Sequence, residues 1–385
     1  MRGRRVRMAI GIAALATLVP ASVAVANGIV PAPSSSYVIA PTVNVPPDPA
    51  GVLHGGPIRG VIASDYLKKP TPAIADLPRL KSLGVNTISA YIYTYMDSVS
   101  SDNVHITAQT VSDQQLSLLA TTAHQLGMAV EFSPVIVVNG PYIWRGFIKP
   151  TNVAAWFHSY NAMITHYVEL ANALKVEILS IGSELYSMQG YTANWAHLAL
   201  WVNKHYPGLT TYMATGNSVF YIPWLGGLDI ISLSPYYSLS SWSNPDPPVN
   251  QLVYTWQHAY LPRLYSLFAK FHRRLLFSEI GYTSAVGTTV HPAQTFRYDT
   301  PESQSAQANA YMALLRVLSI SPWIRGAVWW HWDQVKNAVI DRGFSPRDKA
   351  AECVIGHYWG PPSTRVGPPV DTTADACLLN HVAQS

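Results

Sequence analysis

Two glutamates in this 385-residue chain close short apolar runs and lead into loop-like sequence. Glu184 does so in Ile181-Gly182-Ser183-Glu184-Leu185, and Glu279 in Phe277-Ser278-Glu279-Ile280-Gly281-Tyr282. Asp333, closing Trp329-Trp330-His331-Trp332-Asp333, and Asp65, just past another apolar run, sit in similar places. A charged side chain is seldom buried unless it is paired or put to use. One chemistry needs two carboxyls and nothing else. The first gives a proton to a leaving oxygen while the second, ionised, attacks the carbon from the opposite face. In the retaining form of glycoside cleavage the two stand about 5 to 5.5 Å apart. A loop arginine accounts equally well for either glutamate alone, but two at strand ends favour catalysis.

The elements that must position them alternate along the chain. Strand-like runs cover Ile58–Ala63, Val85–Tyr93, Ala129–Val138, Glu177–Ile181, Leu209–Ala214, Asp229–Ser234, Leu275–Ser278 and Gly326–Trp332. Helical patterns separate most of them: one ends over Leu77–Leu83, and others cover Val153–Leu174, Val249–His272 with a break at Pro262, and Ser303–Leu318. Ser112-Asp113-Gln114-Gln115 has the spacing of a capping box, and the helix it opens runs to Leu126 with Gly127 as its stop. Eight alternating units predict a parallel sheet closed into a single (β/α)8 TIM barrel over residues 53–361. In that fold catalytic groups stand at the C-terminal strand ends, where both glutamates fall. A doubly wound open sheet is the structural alternative, but neither G-x-G-x-x-G nor G-x-x-x-x-G-K-[ST] occurs.

The flanks set the compartment. Arg2, Arg4, Arg5 and Arg7 precede the apolar run Met8–Val19 and a small-residue stretch ending at Ala26. This is the pattern of a secretory signal peptide over residues 1–26, with an uncleaved anchor as the other reading, and the expected location is extracellular. No second run is long enough to span a bilayer, so the mature chain should have no membrane span. The whole chain has 25 Lys+Arg against 21 Asp+Glu, and losing four arginines leaves 21 of each. A nucleic-acid partner is therefore not expected. Residues 27–52 read as a Pro/Ser-rich linker, and 362–385 as a tail tied by a Cys353–Cys377 disulfide. We expect a monomer. Twelve Trp and 22 Tyr suit either a core or a surface that holds sugar faces.

Glutamates after strands four and seven resemble the arrangement of clan A glycoside hydrolases. The finer likeness is to glycoside hydrolase family 113, whose members include β-mannanases. It is carried by the two glutamate segments, by Asp229–Tyr237, by Gly326-Ala327-Val328-Trp329-Trp330, and by Gly343-Phe344-Ser345-Pro346 with Lys349-Ala350. The resemblance implies Glu184 as acid/base, Glu279 as nucleophile, Tyr236 as the tyrosine bonded to the nucleophile, and Trp330 as the floor of the sugar site. Which of Trp329, Trp330 and Trp332 faces the sugar is not fixed by sequence. The implied substrate is an oligo- or polysaccharide, with β-1,4-mannan first. Where most of the clan has Asn before the acid/base, this chain has Ser183. Asn217, Asp65, Asn139 and Trp144 are further substrate-binding candidates, and Arg145 either holds a hydroxyl or pairs with an acid.

No cofactor or metal is expected, since the reaction needs only water and two carboxyls. No G-x-S-x-G or H-E-x-x-H occurs. The rivals are another clan A activity (glucanase, galactanase or exo-mannosidase) and a glycan-binding barrel without catalysis. For a hydrolase, the two carboxyls should be pushed apart in pKa.

Overall fold

The computed structural model describes residues 48–62, 70–141, 143–296, 299–361 and Cys377. The signal segment, residues 27–47 of the linker, Asp65, and the tail beyond Pro361 except Cys377 lie outside the described residues. Eight strands pair in sequence order, all parallel: β1 (Ile58–Ile62), β2 (Thr87–Met96), β3 (Ala129–Val138), β4 (Ile178–Ser183), β5 (Leu209–Thr215), β6 (Ile231–Ser234), β7 (Leu275–Ile280) and β8 (Ile324–Trp329). β8 pairs back onto β1, so the sheet closes. The chain is a (β/α)8 barrel, as the alternation predicts.

Helices α1 (Pro70–Ser82), α2 (Asp113–Gln125), α3 (Val153–Leu174) and α4 (Thr192–His205) follow the first four strands. The capping box forms: the Gln115 amide donates to Ser112 Oγ, and the Ser112 amide to Gln115 Oε1. Between β5 and β6 the crossover is made by two 3-10 turns, Ser218–Tyr221 and Pro223–Gly227. The helical stretch after β6 changes pitch rather than stopping. α5 (Val249–Thr255) runs through a π-turn, Trp256–Tyr260, into α6 (Leu261–Phe271). Pro262 sits in the first turn of α6, where its missing N–H costs little once the wider turn precedes it. α7 (Gln304–Ser319) and α8 (Ala350–Trp359) complete the ring.

Two apolar layers result from strand alternation. One fills the barrel interior with Ile58, Ile62, Tyr91, Ala129, Val135, Ile178, Met213, Leu276 and Val328, and the other lies between strands and helices. At the lower end Val52, assigned above to the linker, is wholly buried in the inner layer. Arg325 holds the carbonyls of Val52 and Gly56. The Cys353–Cys377 disulfide is present, tying the tail to α8.

The pairing departs from strict register in the two strands that matter most. Between Ser180 and Ser183, β4 spends three residues where β5 spends two, and between Phe277 and Ile280 β7 does the same against β8. A one-residue bulge reverses which side chains face inward. Leu275 and Phe277 pack in the outer layer. Unbroken alternation would send Glu279 outward with them, and the bulge turns it into the barrel mouth.

Candidate active site

Glu184 and Glu279 come together at the C-terminal mouth. Glu184 is the first residue past β4 and has a left-handed backbone, φ +52°. A glutamate adopts that conformation only where its surroundings hold it. Here its N–H donates to the Met213 carbonyl on β5 (2.8 Å), and the next amide, Leu185, donates to Tyr212 Oη (2.9 Å). The carboxylate then accepts three bonds. Ser234 Oγ donates to Oε1 (2.6 Å), while Trp144 Nε1 (3.3 Å) and Arg145 Nη2 (3.2 Å) donate to Oε2.

Glu279 is on β7, not beyond it as the sequence suggests, since β7 runs to Ile280. Tyr91 Oη donates to one carboxylate oxygen (2.7 Å) and Tyr236 Oη to the other (3.0 Å). Burial and then the charge of Glu184 push the Glu279 carboxyl up to about 7, while Arg145 and the two tyrosines oppose the rise. The upward push in the free protein thus falls on Glu279, the group expected to be ionised. The cause is its burial facing a second carboxylate. Both tyrosines are held well above the usual phenol range by burial and by Glu279 beside them, so they stay protonated donors.

The three neighbouring tryptophans of the strand-eight segment separate cleanly. Trp329 faces outward and stacks on Tyr311 at 4.0 Å. Trp332 is buried and donates to Asp76 (3.2 Å). Trp330 alone faces the mouth, half-buried, 5.6 Å from the Tyr91 ring and packed against the inner layer. Its carbonyl lies so close to Gly281 that a Cβ there would meet it at 2.2 Å, which explains the glycine after Glu279-Ile280.

Not every residue singled out by sequence joins the pair. Asn217 lies exposed on the rim after β5, with no cap bond from its side chain. Asn139 is exposed after β3, its N–H on the Met96 carbonyl. Asp333 pairs with His331 (2.6 Å), and Asp65 lies outside the described residues. Of its two expected roles, Arg145 takes the pairing with an acid. It pairs with Glu184, and it donates to Ser183 through Nε on the carbonyl (3.1 Å) and Nη2 on Oγ (3.2 Å). The short Ser183 side chain thus leaves room for a guanidinium.

A profile of glycoside hydrolase family 113 matches residues 64–349, a span containing both glutamates and every donor described above. The chain belongs to glycoside hydrolase family 113. It is therefore a clan A glycoside hydrolase, and its substrate is a carbohydrate.

Solved structures share the fold of this family 113 enzyme. The β-mannanase AaManA from Alicyclobacillus acidocaldarius, in complex with ManMIm, is 23% identical with a TM-score of 0.69, covering 79% of this chain and 97% of its own. A complex of a family 113 β-1,4-mannanase is 21% identical with a TM-score of 0.68, covering 79% and 99%. A family 5 mannosidase from Rhizomucor miehei is more distant, 10% identical with a TM-score of 0.52, covering 86% and 95%. Among curated proteins none matches this chain.

Of the enzyme's donors, Ser234 was not singled out by sequence, and Tyr91 only as one of several aromatics that could line a cleft. Tyr91 looks, in Thr87–Met96, like one more strand aromatic, and Ser234 like any small strand residue. Strand parity held the only signal. Tyr91 shares the inward face, and its position late in β2 places it at the mouth. Among the described residues no group of His, Cys, Asp or Glu could hold a metal ion, and no helix is long and apolar enough to cross a membrane.

Proposed function

We propose that this enzyme is a secreted, retaining β-mannan hydrolase in which Glu184 is the acid/base and Glu279 the nucleophile. The observation that carries the assignment is the contrast between their surroundings. Glu279 is clamped by two phenols, one on each carboxylate oxygen, which fixes the direction of its attack. Glu184 is part-exposed at the mouth and is bonded by Trp144 and Arg145 from the turn after β3 and by Ser234 at the end of β6. Mannan is the glycan named for the similar family 113 structures. Secretion rests on the basic and apolar pattern of residues 1–26.

The steps follow from the geometry. In the free pair the two carboxylates repel, which is part of what raises Glu279. A proton on Glu184 removes that repulsion and leaves Glu279 anionic between Tyr91 and Tyr236. Glu279 attacks the anomeric carbon as Glu184 gives its proton to the departing glycosidic oxygen. Glu184, now a carboxylate, takes a proton from water as the water oxygen displaces Glu279 from the same carbon. Trp330 supplies an aromatic floor beside Tyr91 for the ring undergoing substitution.

The test is hydrolysis of β-1,4-mannan by purified protein comprising residues 27–385, followed by proton NMR. Product appearing first as the β-anomer is the expected result. An α-anomer first would end the double-displacement assignment, and no release from mannan would end the mannan assignment.

A further inference from the structure

A buried cation near the mouth takes no part in the chemical steps. The Lys349 side chain has no solvent exposure, and its backbone forms the N-cap of α8. Neither place suits it. A lysine is seldom fully buried unless paired, and the start of a helix favours anions over cations. Burial accordingly pulls its ammonium down, while Asp341 and Glu302 oppose the fall. The helix and the packing both disfavour a cation here, so the contacts of the ammonium have to account for it.

Those contacts knot two loops together. Lys349 Nζ donates to Asp341 Oδ1 (2.6 Å) and the Gly343 carbonyl (3.2 Å) after β8, and to Ser284 Oγ (2.9 Å) after β7. Ser284 Oγ donates in turn to the Asp341 carbonyl (2.6 Å), and the Ser284 N–H to the Gly343 carbonyl (3.2 Å). The chain is thereby fixed on both sides of Phe344. Gly343 holds it from before, and from after it Ser345 Oγ donates to the Asp333 carbonyl and accepts the Asp333 N–H (both 3.0 Å).

Phe344 in turn backs the clamp on the nucleophile. It is buried and meets Tyr236 edge to face (centroids 6.5 Å, planes 76° apart). It also lies against Gly281, two residues after Glu279, where a Cβ would come within 3.1 Å of its Cδ1. Phe344 is thus a wedge between the end of β7 and the tyrosine that donates to Glu279.

We propose that Lys349 is a positioning residue for Glu279: its ammonium fixes Phe344, and Phe344 sets the angle at which the Tyr236 hydroxyl meets the carboxylate. The inference rests on the function proposed above, since it takes Glu279 as the nucleophile. The three bonds of the ammonium all go to loop atoms, so its path to the reaction runs through Phe344 and Tyr236. A hydrogen bond weakens steeply as its angle closes, so a small shift of the phenol is enough to matter.

The experiment is a double-mutant cycle on the full chain, with 2,4-dinitrophenyl β-mannobioside as substrate. That leaving group departs without a proton from Glu184, so kcat/KM reports the attack by Glu279. Lys349→Met is expected to lower kcat/KM about tenfold per folded molecule and to move the acid limb of its pH profile upward. In the Tyr236→Phe background the same substitution should cost less than about threefold, because the bond it misaligns is already gone. An equal cost in both backgrounds would overturn the proposal. So would a lowered Tm with kcat/KM and the acid limb unmoved, which is the mark of a purely structural tie. If Lys349→Met does not yield folded protein, Phe344→Ala tests the same link, since it removes the ring and keeps the ion pair. It should reproduce the loss and the coupling to Tyr236, and undiminished activity would overturn the proposal. Wild-type protein inert toward both mannan and the aryl substrate would overturn the proposed function, and this inference with it.

Discussion

Strand β4 carries a glutamate at each end, and the two ends of the barrel treat them differently. Glu177, just before the strand, is buried among groups that complete its hydrogen bonding: His124 Nε2 at 3.2 Å and the Val130 N–H at 2.8 Å. Glu184, just after it, has three donors, but it faces the barrel mouth and a second carboxylate. The same residue type on the same strand is a structural tie below and, in the function proposed above, a reactive group at the mouth. What distinguishes the ends is that the C-terminal loops leave an opening, whereas the lower end is plugged by Val52 and the carbonyls held by Arg325.

The strongest way to break the contrast is at the mouth. Glu279→Gln should lower kcat by more than about 10⁴-fold, as removal of a nucleophile does. Retention of a tenth of the activity would mean that Glu279 is no nucleophile. Glu184→Ala should cost about 10² to 10⁴-fold, the usual range for a general acid. Added azide should then restore turnover as a β-glycosyl azide, and failure of that rescue would remove Glu184 from the acid/base role.

The lower end should answer in stability instead. Glu177→Ala strands His124 and the Val130 amide, and a loss of about 3 kcal/mol in denaturant unfolding is expected with unchanged kcat per folded molecule. A fall in kcat at full folding would show that the two ends are coupled. An intermediate case is Glu131, on β3 inside the barrel, where burial raises its carboxyl to about 7 against the opposing pull of Ser89 and Ser133. Its folded pKa lies above the ordinary 4.5, so ionisation costs nothing below about pH 4.5 and destabilises fully above about 7. Across that window the loss amounts to about 3 kcal/mol. Glu131→Gln should therefore raise Tm at pH 8 and leave it unchanged at pH 4. A gain at both pH values would mean packing rather than charge.

The smallest effect separates the clamps. Tyr236→Phe removes one of two phenol donors on Glu279 and should cost about 1.5 to 3 kcal/mol in the transition state, or roughly ten- to a hundredfold in kcat/KM. With one donor gone the carboxyl should rise further, moving the acid limb of the pH profile upward. An unmoved limb would show that Tyr91 alone sets it.

Much of this was legible before any coordinates. The alternation of apolar runs fixed eight strands, because a parallel strand buried on both faces must be apolar along its length. The Ser112–Gln115 cap was readable because capping is local. Glu184, Glu279 and Trp144 stood out as polar or amphipathic groups at strand ends, Tyr236 through the family resemblance, and all four meet at the mouth. Asn217 and Asn139 satisfied the same positional rule and stand exposed without a bond to either carboxylate, since a strand end specifies a height in the barrel but not a partner.

Direction was decided by tertiary structure. The bulges in β4 and β7 exist only as a mismatch with neighbouring strands, so no run of residues announces them, yet they determine that Glu279 faces inward. Tyr91 and Ser234 became carboxylate donors because closure brings β2 opposite β7 and β6 within reach of β4. The choice of Trp330 over its neighbours also waited on packing, which assigns Trp329 to Tyr311 and Trp332 to Asp76. The sequence thus determined the elements and the chemical groups, because periodicity and side-chain chemistry are properties of the chain alone. Which groups share a site depends on contacts between residues far apart in sequence, and only the closed barrel makes those.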